Sequence, residues 1–196
     1  MDAETSDAEL MQRTADGDEP AFRELVDRWR NRIARFLHFC TSNAHDAEEL
    51  AQDVFVRVHG AAARYTPTAK FSTWLFTIAR NLCRNWRRSR WRHDVQPVPL
   101  DEVAETLAAM DASPAAALGK AEQQHLIARA ISELPERQRA ALTLRAYGAM
   151  SYDEIAAVLG TSRSAVETLL FRARETMRRK AAAWREKDPD SSASSS

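Results

Sequence analysis

The stretch Phe71–Arg92 (FSTWLFTIARNLCRNWRRSRWR) mixes aromatic, amide and arginine side chains on the polar side of one amphipathic helix. Arg80, Arg84, Arg87 and Arg88 are placed to track phosphates, because guanidinium–phosphate contacts supply most of the affinity for a polyanion. Trp74, with Tyr65 in the preceding connection, offers a platform on which unpaired bases stack at about 1–3 kcal/mol each. Asn81 and Asn85 can hydrogen-bond base edges that are exposed only once a pair opens. Opening a pair costs a few kcal/mol, so this helix would hold a short melted segment without creating a long bubble alone. The plainer reading makes Trp74 and Tyr65 core residues, as most aromatics are. On local grounds the two stand level.

A second constellation lies in Ser151–Arg179. The spacing of Ala156, Gly160 and Val166 fits a helix-turn-helix: a small residue for close crossing, a glycine for the turn, and a branched apolar residue to seat the second helix. On that helix Val166, Leu169, Leu170, Ala173 and Met177 face inward, leaving Ser164, Glu167, Thr168, Phe171, Arg172 and Glu175 outward. A phenylalanine on a polar face forfeits burial unless a partner covers it. A thymine methyl would cover Phe171, and Arg172 can pair with guanine or a phosphate. The alternative, a helical hairpin whose Phe171 packs on the other domain, fits the turn, caps and arginine cluster less well.

The helix from Asp46 to His59 differs in charge. With Ala47, Leu50, Ala51, Val54 and Val58 as its buried stripe, Glu48, Glu49, Gln52, Asp53 and Arg57 face solvent. DNA repels this face, so it must look towards water or a basic protein surface. His38, Cys40 and His45 lack a matched ligand pair elsewhere, so no metal site is expected. No Gly-rich phosphate loop, G-x-S-x-G or H-E-x-x-H occurs, which disfavours an enzyme and implies no cofactor or small-molecule substrate.

These surfaces need scaffolding, and helix-forming residues with five glycines in 196 residues predict an all-α fold of two small domains. Residues 1–17 are expected to be disordered or frayed, and 18–95 to form the first domain. Within it a helix runs from about Glu19 to Phe39. The next opens at Asp46, which caps it in a box with Glu49, and ends at Gly60. Ser72 is the expected cap of the arginine-rich helix, whose core stripe is Leu75, Ile78, Ala79, Leu82 and Trp86. Residues 96–114, with three prolines and an acidic run, read as a flexible linker, and 186–196 as a disordered tail. The second domain, 115–185, has Pro135 at the first turn of a helix from Glu136 to Tyr147 that Gly148 ends in a left-handed conformation. Ser151 and Glu154 form a capping box. The formal net charge of +0 conceals segregation: cations concentrate in Arg80–Arg92 and Arg163–Arg185. Cys40 and Cys83 make no disulfide framework. No apolar run is long enough for a bilayer and the N-terminus is not signal-like, so no membrane insertion and a cytoplasmic location are expected.

In order and spacing, DAEELAQDVFVRVHG (Asp46–Gly60), FSTWLFTIARN (Phe71–Asn81), LPERQR (Leu134–Arg139) and SYDEIAAVLGTSRSAVETLLFRARETMRR (Ser151–Arg179) resemble bacterial sigma factors of the extracytoplasmic-function (ECF) group. The resemblance covers about Asp18–Arg92 and Ala115–Arg179. It implies a subunit that directs core RNA polymerase to promoters and opens the −10 element. Asp46, Glu49, Gln52 and Asp53 then correspond to the surface for the β′ clamp helices. Arg64, Tyr65, Lys70, Trp74, Asn81, Arg84 and Asn85, with Arg80 and Arg88 beside them, correspond to the −10 region, and Ser164, Glu167, Thr168, Phe171 and Arg172 to the −35 reader. Many relatives carry Arg or Lys where Glu167 stands, so a −35 preference does not carry over. The implied partners are core polymerase (β′ clamp helices and β flap), promoter DNA and an anti-sigma factor, which can hold the protein at a membrane. From the residues alone, a stand-alone helix-turn-helix regulator on a palindromic operator is the competing reading.

Overall fold

A computed structural model describes residues 5–92 and 126–187. The expected linker, the first residues of the second domain and the tail lie outside the described residues. Among those described, every regular element is helical.

The first body comprises α1 (Asp7–Ala15), α2 (Glu19–Thr41), α3 (Ala44–Ala61), a 3-10 turn (Ala62–Arg64) and α4 (Phe71–Arg92). Helix α2 places Leu25, Trp29, Ile33, Phe36 and Leu37 on one apolar stripe, all buried. Phe76 of α4 meets Phe36 edge-on, with ring centroids 5.4 Å apart and planes at 87°, an arrangement favoured by the ring quadrupoles. Leu50, Val54 and Val58 of α3 complete this core.

Residues 7–15 correct the expectation of a frayed N-terminus. They form α1 because Ser6 caps it through the Glu9 N–H, while Leu10 and Met11 are fully buried against the first body. Arg28 fastens the start by donating to the Thr5 carbonyl at 2.9 Å and to Asp7 at 2.8 Å. Two further caps differ from expectation. Helix α3 starts at Ala44, and its cap is Asn43, whose Oδ1 accepts the Asp46 N–H at 2.9 Å; Asp46 itself is inside the first turn. Gly60 lies within the last turn rather than ending it. Helix α4 starts at Phe71, so Ser72 is inside it, and the Lys70 carbonyl accepts from Thr73 and Trp74.

The second body contains α5 (residues 126–132), α6 (Glu136–Ala146), α7 (Tyr152–Leu159) and α8 (Arg163–Lys187). The capping box of Ser151 and Glu154 forms, with the Ser151 N–H donating to Glu154 at 2.6 Å. Gly160 adopts φ 59° and turns the chain from α7 into α8. Gly148 behaves otherwise than expected: Ala149, at φ 52°, is the left-handed residue. Glycine is needed at 148 because a Cβ there would sit 2.6 Å from the Leu144 carbonyl oxygen.

The two bodies pack on one another along a seam. Phe39, at the end of α2, is buried against Ala128 and Ile131 and stacks on Tyr147 with centroids 5.4 Å apart. Lys70 reaches Glu154 at 2.9 Å, and Arg87 reaches Glu136 at 2.5 Å. One continuous apolar cluster runs from Leu10 to Leu170 across both bodies.

Candidate nucleic-acid interface

Three outer faces emerge from this packing. On α3, Glu48, Glu49, Gln52 and Asp53 are exposed as expected. Asp46 departs from the set: its carboxylate is taken by Arg90 at 2.5 Å, and the Arg90 guanidinium also lies over the Trp86 ring at 5.0 Å. Asp46 thus serves the α3–α4 junction instead of the outer face. Its place is filled by a residue the sequence reading passed over. Val56, 70% exposed, follows Glu49, Gln52 and Asp53 at helical spacing. The run Val54-Phe55-Val56 carried the signal, because three consecutive apolar residues on a helix span about 200° and cannot all face one core. Beside Val56, an open groove of about 730 Å³ runs between α2 and α3, floored by Phe22, Val26, Ala51 and Phe55. Glu48 and Gln52 stand on its rim. The face is an apolar trough with Glu48 on its α3 edge and Arg30 on its α2 edge.

Helix α4 carries the cationic face. Arg84, Asn85 and Arg88 are exposed, as are Arg64 and Lys70 ahead of it, whereas Arg80 and Asn81 are half-buried. Burial, with Arg84 and Arg137 close by, lowers the Arg80 pKa. Tyr65 and Trp74 combine both readings offered for them. Their centroids lie 4.9 Å apart, and Phe71 lies 6.1 Å from Tyr65 and 5.8 Å from Trp74, so the pair rests on the core while remaining partly exposed. The Tyr65 hydroxyl oxygen is buried without a hydrogen-bond partner, and burial pushes its pKa up.

Part of this cationic face turns to the second body rather than to solvent. Lys70 pairs with Glu154, whose carboxyl is held below the usual carboxylate range first by Lys70 and then by the Ser151 N–H. Arg80 and Arg87 line the seam with Arg137 and Glu136. The sequence hint was Phe36, Leu37, Phe39 and Cys40: apolar residues spread this widely around one helical turn cannot all face a single core.

The outer face of α8 matches expectation residue for residue. Ser164, Glu167, Thr168, Phe171 and Arg172 are exposed, Phe171 at 62%. Val166, Leu170 and Ala173 are buried, and Leu169 and Met177 partly so. Glu167 is engaged by Arg163 at 3.2 Å, which also reaches Asp153 at 2.8 Å. The Thr168 hydroxyl donates to the Ser164 carbonyl at 3.0 Å. Among the described residues, no group of three or more His, Cys, Asp or Glu could hold a metal ion.

Comparison with known proteins agrees with this layout. The family profile "Sigma-70 region 2" matches residues 25–93, and "Sigma-70, region 4" matches 124–177. The RNA polymerase sigma-H factor of Pseudomonas aeruginosa is 32% identical over 186 residues, spanning 90% of this chain and 94% of that protein. The ECF RNA polymerase sigma-E factor of Escherichia coli (strain K12) is 29% identical over 182 residues, spanning 90% and 95%. Among solved structures, CnrH in complex with the cytosolic domain of CnrY aligns with TM-score 0.68 at 27% identity, covering 91% of this chain and 99% of that one. The sigma factor RpoE in complex with the anti-sigma factor NepR from Bartonella quintana shares the fold, with TM-score 0.67 at 20% identity, over 82% and 96%. The chain belongs to the extracytoplasmic-function group of the sigma-70 family of RNA polymerase sigma factors.

Proposed function

We propose that this sigma factor engages bacterial core RNA polymerase through the outer face of α3 and the groove beside it. Glu49, Gln52, Asp53 and Val56 supply an anionic edge around an apolar contact, which suits a basic helical surface such as the β′ clamp helices. Helix α4, with Arg64, Tyr65, Lys70 and Trp74 before or at its start, receives the −10 element. Arg84 and Arg88 hold phosphates, while Asn81 and Asn85 meet opened bases. Helix α8 enters the major groove at the −35 element with Ser164, Thr168, Phe171 and Arg172.

The observation that carries this reading is the sorting of exposed groups. Val56 stands beside Glu49, Gln52 and Asp53 on α3, and Phe171 beside Thr168 and Arg172 on α8, each an apolar residue bared on the polar face of a different helix. An anti-sigma factor is the regulatory partner we infer, since one solved relative is in complex with an anti-sigma factor and another with the cytosolic domain of a second protein, CnrY. Among the described residues no helix is long and apolar enough to cross a membrane, and we place the protein in the cytoplasm.

The test is run-off transcription with purified core polymerase on a set of stress promoters. Promoter-dependent transcripts are expected only when the chain is added. Asp53→Lys is expected to weaken core binding without changing the thermal midpoint. A chain that gives no transcript but binds duplex operators tightly by itself would instead be a stand-alone regulator.

A further inference from the structure

The seam holds a feature that promoter recognition does not use. Cys40, in the last turn of α2, and Cys83, midway along α4, are 43 positions apart in sequence yet line the same cavity. Both are free thiols, Cys83 buried and Cys40 partly so, and each thiol is the largest influence on the other's pKa. The cavity is about 60 Å³, room for a molecule the size of water or hydrogen peroxide and too small for glutathione disulfide. Arg87 of α4 and Arg139 of α6 share its walls. Arg139 is 9% exposed and donates to the Ser132 carbonyl at 2.7 Å, so its guanidinium is fixed beside the sulfurs. Glu136, already paired with Arg87, is the acidic residue there.

We propose that Cys40 and Cys83 form a redox-active dithiol, oxidised by hydrogen peroxide to an intramolecular disulfide that clips α2 to α4. Cys83 is the attacking sulfur. Interaction with the Cys40 thiol first, then Arg87 and Arg139, lowers the Cys83 pKa, while interaction with Cys83 and burial push Cys40 up. In the first step the Cys83 thiolate attacks one peroxide oxygen and the O–O bond breaks. The departing hydroxide takes up a proton as water, leaving Cys83 as the sulfenic acid. Next, the Cys40 sulfur attacks the Cys83 sulfur. The S–S bond forms, the S–O bond breaks, and the leaving hydroxide carries off the Cys40 proton as a second water. Two thiols and one peroxide become one disulfide and two waters, each sulfur losing one electron to the peroxide oxygens. The product carries no anionic sulfur to face Arg139, so the chemistry is felt at the seam between the bodies. The inference is independent of how the chain meets polymerase.

The test uses the full, reduced chain exposed to hydrogen peroxide, then alkylated in denaturant and weighed. Expected is joint loss of both thiols in a monomer lighter by about 2 Da, with Cys40 and Cys83 in one cross-linked peptide. Cys40→Ser should leave a sulfenic acid on Cys83 that dimedone traps once the chain is opened in denaturant. Cys83→Ser should slow the oxidation of Cys40 by about tenfold or more. Circular dichroism checks that each variant is folded, and thiol counting on the unsubstituted chain stands without them. The proposal is overturned if both thiols survive peroxide in the folded chain while the unfolded chain is oxidised. Dimers linked between chains, or Cys40 reacting faster than Cys83, would overturn it equally.

Discussion

Replacing Val56 by serine separates apolar docking from charge attraction on the face of α3. Fully burying a valine side chain contributes about 1.5–3 kcal/mol, and 70% of Val56 is available to be covered, so contact with polymerase is worth about 1–2 kcal/mol at this residue. A serine hydroxyl taken out of water without a partner adds a penalty of about 1–3 kcal/mol. Together these weaken core binding by about 2–5 kcal/mol, roughly 30- to 5,000-fold in Kd. The folded chain should hardly notice, because exposed substitutions usually stay within about 0.5 kcal/mol. The assay is titration of labelled chain with core polymerase at two ionic strengths, with a thermal melt as control. The Val56→Ser loss should persist in high salt, because it removes apolar area, whereas the Asp53→Lys loss should shrink as ions screen it. Wild-type affinity for a folded Val56→Ser chain would refute the assignment of this groove to polymerase.

On the −35 side, Arg172→Ala should cost about 1–3 kcal/mol in promoter binding and relax preference at one base position, read from competition among single-base promoter variants. Gly148→Ala should destabilise the second body by about 1–3 kcal/mol, because the added Cβ meets the Leu144 carbonyl oxygen at 2.6 Å; the melting temperature should fall by about 2–4 °C per kcal/mol. The Lys70–Glu154 pair gives a pH signature. Glu154 is held below its ordinary pKa of 4.5, so its contribution is fully present above that value and lost as pH falls through the lower folded value. The stability gap between wild type and Lys70→Ala should therefore be constant at neutral pH and close in acid, as denaturant midpoints across the range will show.

Local chemistry was the part of this protein most legible in sequence. Ser151, Glu154 and Gly160 each act within a few residues of themselves, so the helix-turn-helix and the outward position of Phe171 followed directly. Failures arose where two candidates compete or where distant segments meet. Asn43 and Asp46 both suit an N-cap, and only the folded chain shows Asn43 accepting from Asp46 while Asp46 is drawn to Arg90. Gly148 and Ala149 are adjacent, and a glycine signal does not tell a positive φ from a close approach. Helix α1 went unread because its stability depends on Leu10 and Met11 being covered by helices whose positions local pattern does not give. The seam was hidden for the same reason. Its ion pairs join Lys70 to Glu154 and Arg87 to Glu136, across the stretch where composition suggests a division.

That shared interior has a thermodynamic consequence. Composition draws a boundary at the acidic stretch, yet the apolar cluster from Leu10 to Leu170 ignores it. Melting either half would strip water-averse surface from the other, so the cooperative unit of this packed form is larger than either half alone. A substitution deep in α2 is therefore also a substitution in the platform beneath the helix-turn-helix.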